Sequence, residues 1–173
     1  MRGLLPHLTL ELYAVPMPVD APTFKKTLSS FASGVTVVGV LEDGHMRGMT
    51  ASAFISVSLE PPLVLVSVAK SAKMHAVLES REMHSINILA HMQPETSTHF
   101  AGRPLEQAPE YIVRDDVPLL EHALARMVCT VVNRVDAGDH TLIISQVEYA
   151  DSKDDVEPLL YYKGKYGQFE LMD

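Results

Sequence analysis

Residues 47–73, RGMTASAFISVSLEPPLVLVSVAKSAK, constrain the fold more than any other part of the chain. The run 63–69 is continuously apolar and rich in β-branched side chains, and it reads as a strand buried on both faces. Before it, 49–59 reads as another strand, with Pro61-Pro62 as the corner between them. Side chains alternate along a strand, so Thr50, Ser52, Phe54, Ser56 and Ser58 are expected on one face. Such a face is too polar for a dry core and too uncharged for an ordinary solvated surface. Small hydroxyls there suit a flat, hydrogen-bonding guest that approaches the backbone closely. The chain then reaches Lys70-Ser71-Ala72-Lys73, just before a helical pattern, and a helix start with Ser, Lys and free N–H groups is a seat for phosphate. The plainer alternatives are strand hydroxyls that merely meet water or a neighbouring strand, and lysines that are solvated surface charges.

Around this stretch the chain reads mostly as strands. A helix is expected from Pro22 or Thr23, capped by Asp20 or Thr23, with Phe24, Leu28 and Phe31 at helical spacing and Gly34 as its stop. Residues 35–41 read as the first core strand, and a turn at 42–45 makes a hairpin with the strand beginning at Met46. Gly48 marks a bulge or a close backbone approach. Residues 74–81 read as a short helix with Met74, Val77 and Leu78 inward, 84–89 as a strand, and 93–100 as helical. Residues 103–117 are loop-like and 119–125 mixed. Residues 126–135 and 141–150 form a hairpin around Gly138, and 159–162 and 166–171 flank a turn at 163–165. At least six strands without long helices between them argue against a doubly wound parallel sheet. The expected fold is mainly β with a few short helices, an antiparallel barrel. An N-terminal arm over residues 1–21 precedes a single domain over 22–173.

Composition narrows the function. The formal net charge of -8 and the lack of a basic stripe with aromatics argue against nucleic acid. No stretch is long enough to span a bilayer as a helix, and the first twenty residues lack the pattern of a signal peptide. The single cysteine, Cys129, allows no internal disulfide, suits a reducing cytoplasm, and sits in an apolar run as a small core residue. The eight histidines are scattered without metal-ligand spacing. No G-x-G-x-x-G, P-loop or G-x-S-x-G motif occurs.

Several ordered blocks carry a resemblance. They are Phe31-Ala32-Ser33-Gly34-Val35-Thr36, Gly48-Met49-Thr50-Ala51-Ser52-Ala53-Phe54, Ser56-Val57-Ser58-Leu59, Pro61-Pro62-Leu63-Val64, Phe100-Ala101-Gly102 and Gly138-Asp139-His140-Thr141. Together they resemble the short-chain NAD(P)H:flavin oxidoreductases, the flavin reductase components of two-component flavin-dependent monooxygenases. The resemblance implies a Greek-key split β-barrel that binds FMN or FAD, uses NADH (with NADPH possible), and works as a cytoplasmic homodimer.

By the same resemblance, Thr50, Ala51, Ser52 and Ala53 line the isoalloxazine and ribityl chain, with Ser56 and Val57 further along. Ser71, Ala72 and Lys73 form the phosphate loop, and Phe100, Ala101, Gly102 and Arg103 a flavin-contacting corner. His140 is implied near the nicotinamide, as a positioning residue. Tyr162 and Tyr166 border the site. Each has a plain alternative: Phe100 a core aromatic, Arg103 a solvated charge, His140 a turn histidine bonded to Asp139, the tyrosines staples of a terminal hairpin. Ser52 replaces an Asn common in the family and Ser145-Gln146 a common Gly-Glu, which leaves FMN against FAD open. Rival functions are a flavin-binding barrel with another redox or storage role, such as electron transfer or ferric or corrin reduction, and a non-enzymatic β-barrel binding module.

Overall fold

The computed structural model describes residues 19–170, so residues 1–18 of the expected arm and Leu171 of the expected last strand lie outside the described residues. Helix α1 (Ala21–Leu28) begins as its sequence requires: Asp20 caps it by accepting from the Thr23 N–H at 2.7 Å. Its end differs from expectation. The helix stops at Leu28, and Gly34 belongs to a short strand β1 (Ser33–Gly34). Phe24, Leu28 and Phe31 are all exposed, so the apolar spacing of α1 faces no core among the described residues.

The next two strands form the hairpin that the sequence predicts. β2 (Thr36–Glu42) and β3 (His45–Ala51) form a hairpin over Asp43 and Gly44, whose positive φ angles of 52° and 78° fit a tight turn between twisted strands. β4 (Phe54–Leu59) and β5 (Pro62–Ala69) form a second hairpin across the proline corner. β6 (Met83–Ile88), β9 (Ala125–Ala137) and β10 (His140–Ser152) complete an antiparallel sheet in the order β3-β2-β6-β9-β10-β5-β4. β3 and β4, neighbours in sequence, thus lie at opposite ends of that order. Ser52 and Ala53 alone join them, and the Ser67 N–H donates to the Ala53 carbonyl at 3.0 Å. A sheet whose two edges are consecutive in the chain curls shut, giving the split barrel.

Closure corrects two expectations. Residues 49–59 are not one strand: the chain leaves one sheet edge at Ala51 and enters the other at Phe54. The register also shifts between Ser56 and Ser58. The five residues from Thr50 to Ser58 therefore do not share a face, because both a break and a bulge intervene. Nor is β5 buried on both faces. Val64, Val66 and Val68 point into the barrel and are buried, while Leu63, Leu65, Ser67 and Ala69 are only half-buried outside. A barrel strand has one inside, and among the described residues no helix layer covers the outside of β5.

The barrel interior packs Val38, Val40, Val66, Val68, Ile86 and Ile143 against Met74 and Leu78 of helix α2 (Lys73–Ser80). Each such side chain contributes about 1.5–3 kcal/mol on burial. Cys129 belongs to this core, and burial pushes its thiol up to about 12, so it is a packing residue. Helix α3 (Pro94–Phe100) follows β6. The region expected as loop and mixed structure contains a hairpin, β7 (Tyr111–Arg114) and β8 (Val117–Leu120), with β8 wholly buried. Its turn residues Asp115 and Asp116 both have positive φ, which the acidic loop composition concealed. β8 is fixed by the Leu120 N–H, which donates to Asn87 Oδ1 of β6 at 2.8 Å. The C-terminal hairpin, β11 (Leu160–Tyr162) and β12 (Lys165–Gly167), pairs with β1 and brings its tyrosines to α3.

Candidate active site

The closure point of the barrel, the start of α2 and the end of α3 converge on three cavities that share lining residues. The first, about 230 Å³, is a shallow trough lined by Thr50, Ala51, Ser52, Ala53 and Ala72, with His140 at its rim. Its walls are small because the strand break at Ser52-Ala53 exposes backbone. A flat ring system can lie against such a wall at van der Waals distance.

The second cavity, about 380 Å³, continues from the trough past Met49 and Ala72. Lys73, Arg47 and His99 supply its polar groups, and Phe100 and Gly102 close its far side. Ala72 is the N-cap of α2 and offers no side chain to its first-turn amides. Those amides and the Lys73 ammonium make an anion seat. Arg47 braces it: Nη1 bonds Glu42 Oε2 at 2.5 Å, and Nη2 donates to the Lys73 carbonyl at 3.3 Å. The Leu105 N–H donates to His99 Nδ1 at 3.0 Å, so in the neutral ring Nε2 carries the proton. Partial burial lowers the His99 pKa and favours that neutral imidazole, a donor beside an anion seat.

Gly48 explains itself here. A Cβ at that position would lie 2.7 Å from Phe100 Cδ1, so the glycine is the floor on which the Phe100 ring rests. Of the two sequence readings for Gly48, close approach is the one observed. Thr50 ties the same corner together by donating from Oγ1 to the Ser97 carbonyl at 2.6 Å. The third cavity, about 180 Å³, lies between Thr50, Ser52, Ala101 and the C-terminal hairpin, where Tyr166 Oη donates to Ser97 Oγ at 2.9 Å. Tyr161 packs edge-on against Tyr166 with ring centres 5.6 Å apart.

His140 opens β10 directly after the turn at Gly138 and Asp139. Its Nδ1 lies 2.7 Å from Asp139 Oδ1, and a carboxylate can only accept, so Nδ1–H is the donor. The bond to His140, followed by the charge of the imidazole, holds the Asp139 carboxyl below its usual range.

The structure thus brings together Thr50, Ala51, Ser52, Ala53, Ala72, Lys73, Phe100, Ala101, Gly102, Tyr166 and His140. It keeps others apart. Ser56 and Val57 lie on β4 beyond the break, exposed and outside the three cavities; Ser71, Arg103 and Tyr162 are exposed and also line none of them. Sequence reading misses Arg47, His99 and Ser97. Arg47 precedes the strand block and His99 precedes Phe100, but neither type nor spacing marks them, because only the packing of β3 against α2 and α3 brings them in.

A closed antiparallel barrel with a small-walled trough running into a cationic helix start defines a class, the barrels that hold a flat nucleotide cofactor. The comparisons with known proteins narrow it. The flavin reductase like domain matches residues 28–170, and the chain belongs to that family. It is 45% identical over 152 residues to an NADH-dependent flavin reductase of a Rhodococcus species, covering 86% of each chain. It is 38% identical to the reductase component of 4-hydroxyphenylacetate 3-monooxygenase of Thermus thermophilus, over 83% of this chain and 93% of that protein. Among solved structures, the flavin reductase PheA2 in its native state superposes with a TM-score of 0.83 at 40% identity, over 88% of this chain and 100% of that one. The NADH:FAD oxidoreductase SgcE6 of Streptomyces globisporus, solved with NAD and FAD fragments, gives 0.81 at 31% identity, over 87% and 93%.

Proposed function

We propose that this protein is an NADH-dependent flavin reductase that passes reduced FMN or FAD to a partner flavin-dependent monooxygenase. One observation carries the reading: in a chain of this family, the trough at Ser52-Ala53 and the anion seat at Lys73 adjoin, sharing Met49 and Ala72 as lining, and His140 also lines the trough. The donor set fits a flavin. Small side chains and exposed backbone suit the ring, and the α2 amides with Lys73 suit a phosphate. When bound, the flavin accepts the hydride that the nicotinamide gives up.

The chain's residues hold and orient. Thr50, Ala51, Ser52 and Ala53 present backbone and small side chains to the ring; Ala72 and Lys73, with Ser71 alongside, hold the phosphate. Phe100, Ala101 and Gly102 close the corner, with Arg103 just beyond it. His140 positions the nicotinamide: with Nδ1–H committed to Asp139, Nε2 of the neutral ring is left to accept a hydrogen bond, and the imidazolium would donate one. Bringing two bound reactants into register can remove much of the barrier without any protein acid, base or nucleophile.

The protein acts as a homodimer in this reading. Support comes from an apolar outer surface that is open among the described residues: Phe31, Ile55, Val57 and Leu59 are 77%, 57%, 47% and 90% exposed. A partner on β4 would also bring Ser56 and Val57 toward a shared site, and Tyr162 and Tyr166 border the same region. Among the described residues no helix is long and apolar enough to cross a membrane. A cytoplasmic location is part of the proposal, supported by the single buried, unpaired Cys129.

The test follows the loss of NADH absorbance on mixing purified protein with NADH and either FMN, FAD or no flavin, with NADPH in parallel. Oxidation that depends on added flavin is the expected result. Retention of flavin without turnover of free flavin would favour an electron-transfer or storage role, and failure to bind either flavin would remove both readings.

A further inference from the structure

Lys70 connects two parts of the site that the fold otherwise joins only at their ends. It follows β5 at the start of the loop into α2, and it faces the turn between β9 and β10. Its backbone N–H donates to the Asp139 carbonyl at 2.9 Å, extending the β5–β10 ladder one residue beyond the Ala69–His140 pair. Its ammonium donates to the Gly138 carbonyl at 2.7 Å and pairs with the Asp136 carboxylate. Asp139, held at its carbonyl by Lys70, accepts at its carboxylate from His140. One turn of helix later, His75 Nε2 lies 2.8 Å from Thr141 Oγ1, tying α2 to the residue after His140.

The ladders hold the backbone up to His140, which pairs with Ala137 of β9 and Ala69 of β5, so the Lys70 bonds act on the turn residues beyond them. Gly138 has φ +64°, and no heavy atom lies within 4 Å of where its Cβ would stand. Asp136 and Asp139 are largely exposed. The exposed tip of a hairpin is less restrained than the ladder that leads to it. A lysine ammonium placed between a turn carbonyl and a carboxylate removes that freedom.

We propose that Lys70 is a positioning residue for hydride transfer, clamping the Asp136–His140 turn to the anion-seat loop so that the His140 imidazole is fixed at the rim of the trough. The inference rests on the proposed role of His140. It assigns Lys70 a function different from that of Lys73, although both stand in one short loop: Lys73 serves the flavin phosphate, and Lys70 serves the nicotinamide through Asp139 and His140.

The experiment compares Lys70→Met, which keeps the stem and removes the charge, with Lys70→Arg, His140→Ala and the double variant Lys70→Met/His140→Ala. Steady-state kinetics give KM for NADH and kcat, and fluorescence titration gives Kd for flavin. Lys70→Met is expected to raise KM for NADH about three- to tenfold, with flavin Kd within about twofold of the parent. Lys70→Arg is expected to recover most of the loss, and the double variant to resemble His140→Ala. Unchanged NADH kinetics in Lys70→Met, beside an impaired His140→Ala, would overturn the clamp and leave the reading of His140 standing. A neutral His140→Ala would overturn that reading, and the clamp with it. Flavin binding weakened as much as NADH binding would make Lys70 a ligand of the flavin or a general structural residue, and would also refute the proposal.

Discussion

Acidification should destabilise this protein through His84, a residue outside the proposed chemistry. His84 stands on β6 and is 1% exposed. Its Nε2 lies 2.8 Å from Ser145 Oγ and its Nδ1 3.3 Å from the Ser85 carbonyl, a pairing that suits a neutral ring with Nδ1–H donating and Nε2 accepting. Burial, which penalises the charged form, pushes its pKa down from 6.5 to about 4. Above pH 6.5 both folded and unfolded chains hold a neutral His84, and stability does not depend on it. As pH falls through 6.5 the unfolded chain takes up a proton that the folded chain refuses, so stability is lost until about pH 4. At about 1.4 kcal/mol per pH unit, the loss from this group comes to roughly 2 kcal/mol at pH 5 and 3 kcal/mol at pH 4. Urea unfolding at pH 7, 6 and 5 measures it. His84→Gln removes the titration and keeps a partner for Ser145, so the difference between parent and variant cancels the carboxylates that titrate in both. The expected outcome is a parent that loses about 2 kcal/mol more than the variant between pH 7 and pH 5. Equal losses in the two proteins would refute the reasoning.

Three further predictions concern the site and the surface. Gly48→Ala forces a methyl to 2.7 Å from Phe100, which must move; thermal melting should show a loss of about 1–3 kcal/mol, and flavin titration a weaker complex. Lys73→Ala should weaken FMN binding about tenfold or more while leaving riboflavin, which has no phosphate, nearly unaffected, as read by fluorescence quenching. Val57→Lys places a charge on the exposed outer face of β4, and under the proposed dimer sedimentation should show a dimeric parent and a monomeric variant.

Much of this fold is legible in the chain. The turn at Asp43-Gly44, the proline corner, the short helix with Met74 and Leu78 inward and the hairpin at Gly138 all follow from local rules of turn chemistry and periodicity. The departures have one character. The strand expected over 49–59 breaks at Ser52-Ala53 because the barrel must close there, and no local signal distinguishes a closing break from a continuing strand. The β7–β8 hairpin is hidden because its buried strand is only four residues long and its turn is built from two acids rather than a glycine. The apolar spacing of α1 does form a helix, but that face has no partner among the described residues.

The sequence by itself determined the antiparallel, strand-rich character of the chain, the run of small residues at 50–53 and the helix start at Lys73, because each depends on neighbours within a few residues. Ordered blocks from Phe31 to Thr141 also carried the family. Only the tertiary structure decided that Gly48 exists to seat Phe100, that Arg47 braces the Lys73 carbonyl, and that Lys70 reaches the turn before His140. Those contacts join residues 26 to 68 positions apart, and their partners are chosen by how the sheet closes. Separations of that size leave no trace in local spacing, since any exposed lysine or arginine would read the same until the barrel brings one particular carbonyl within reach.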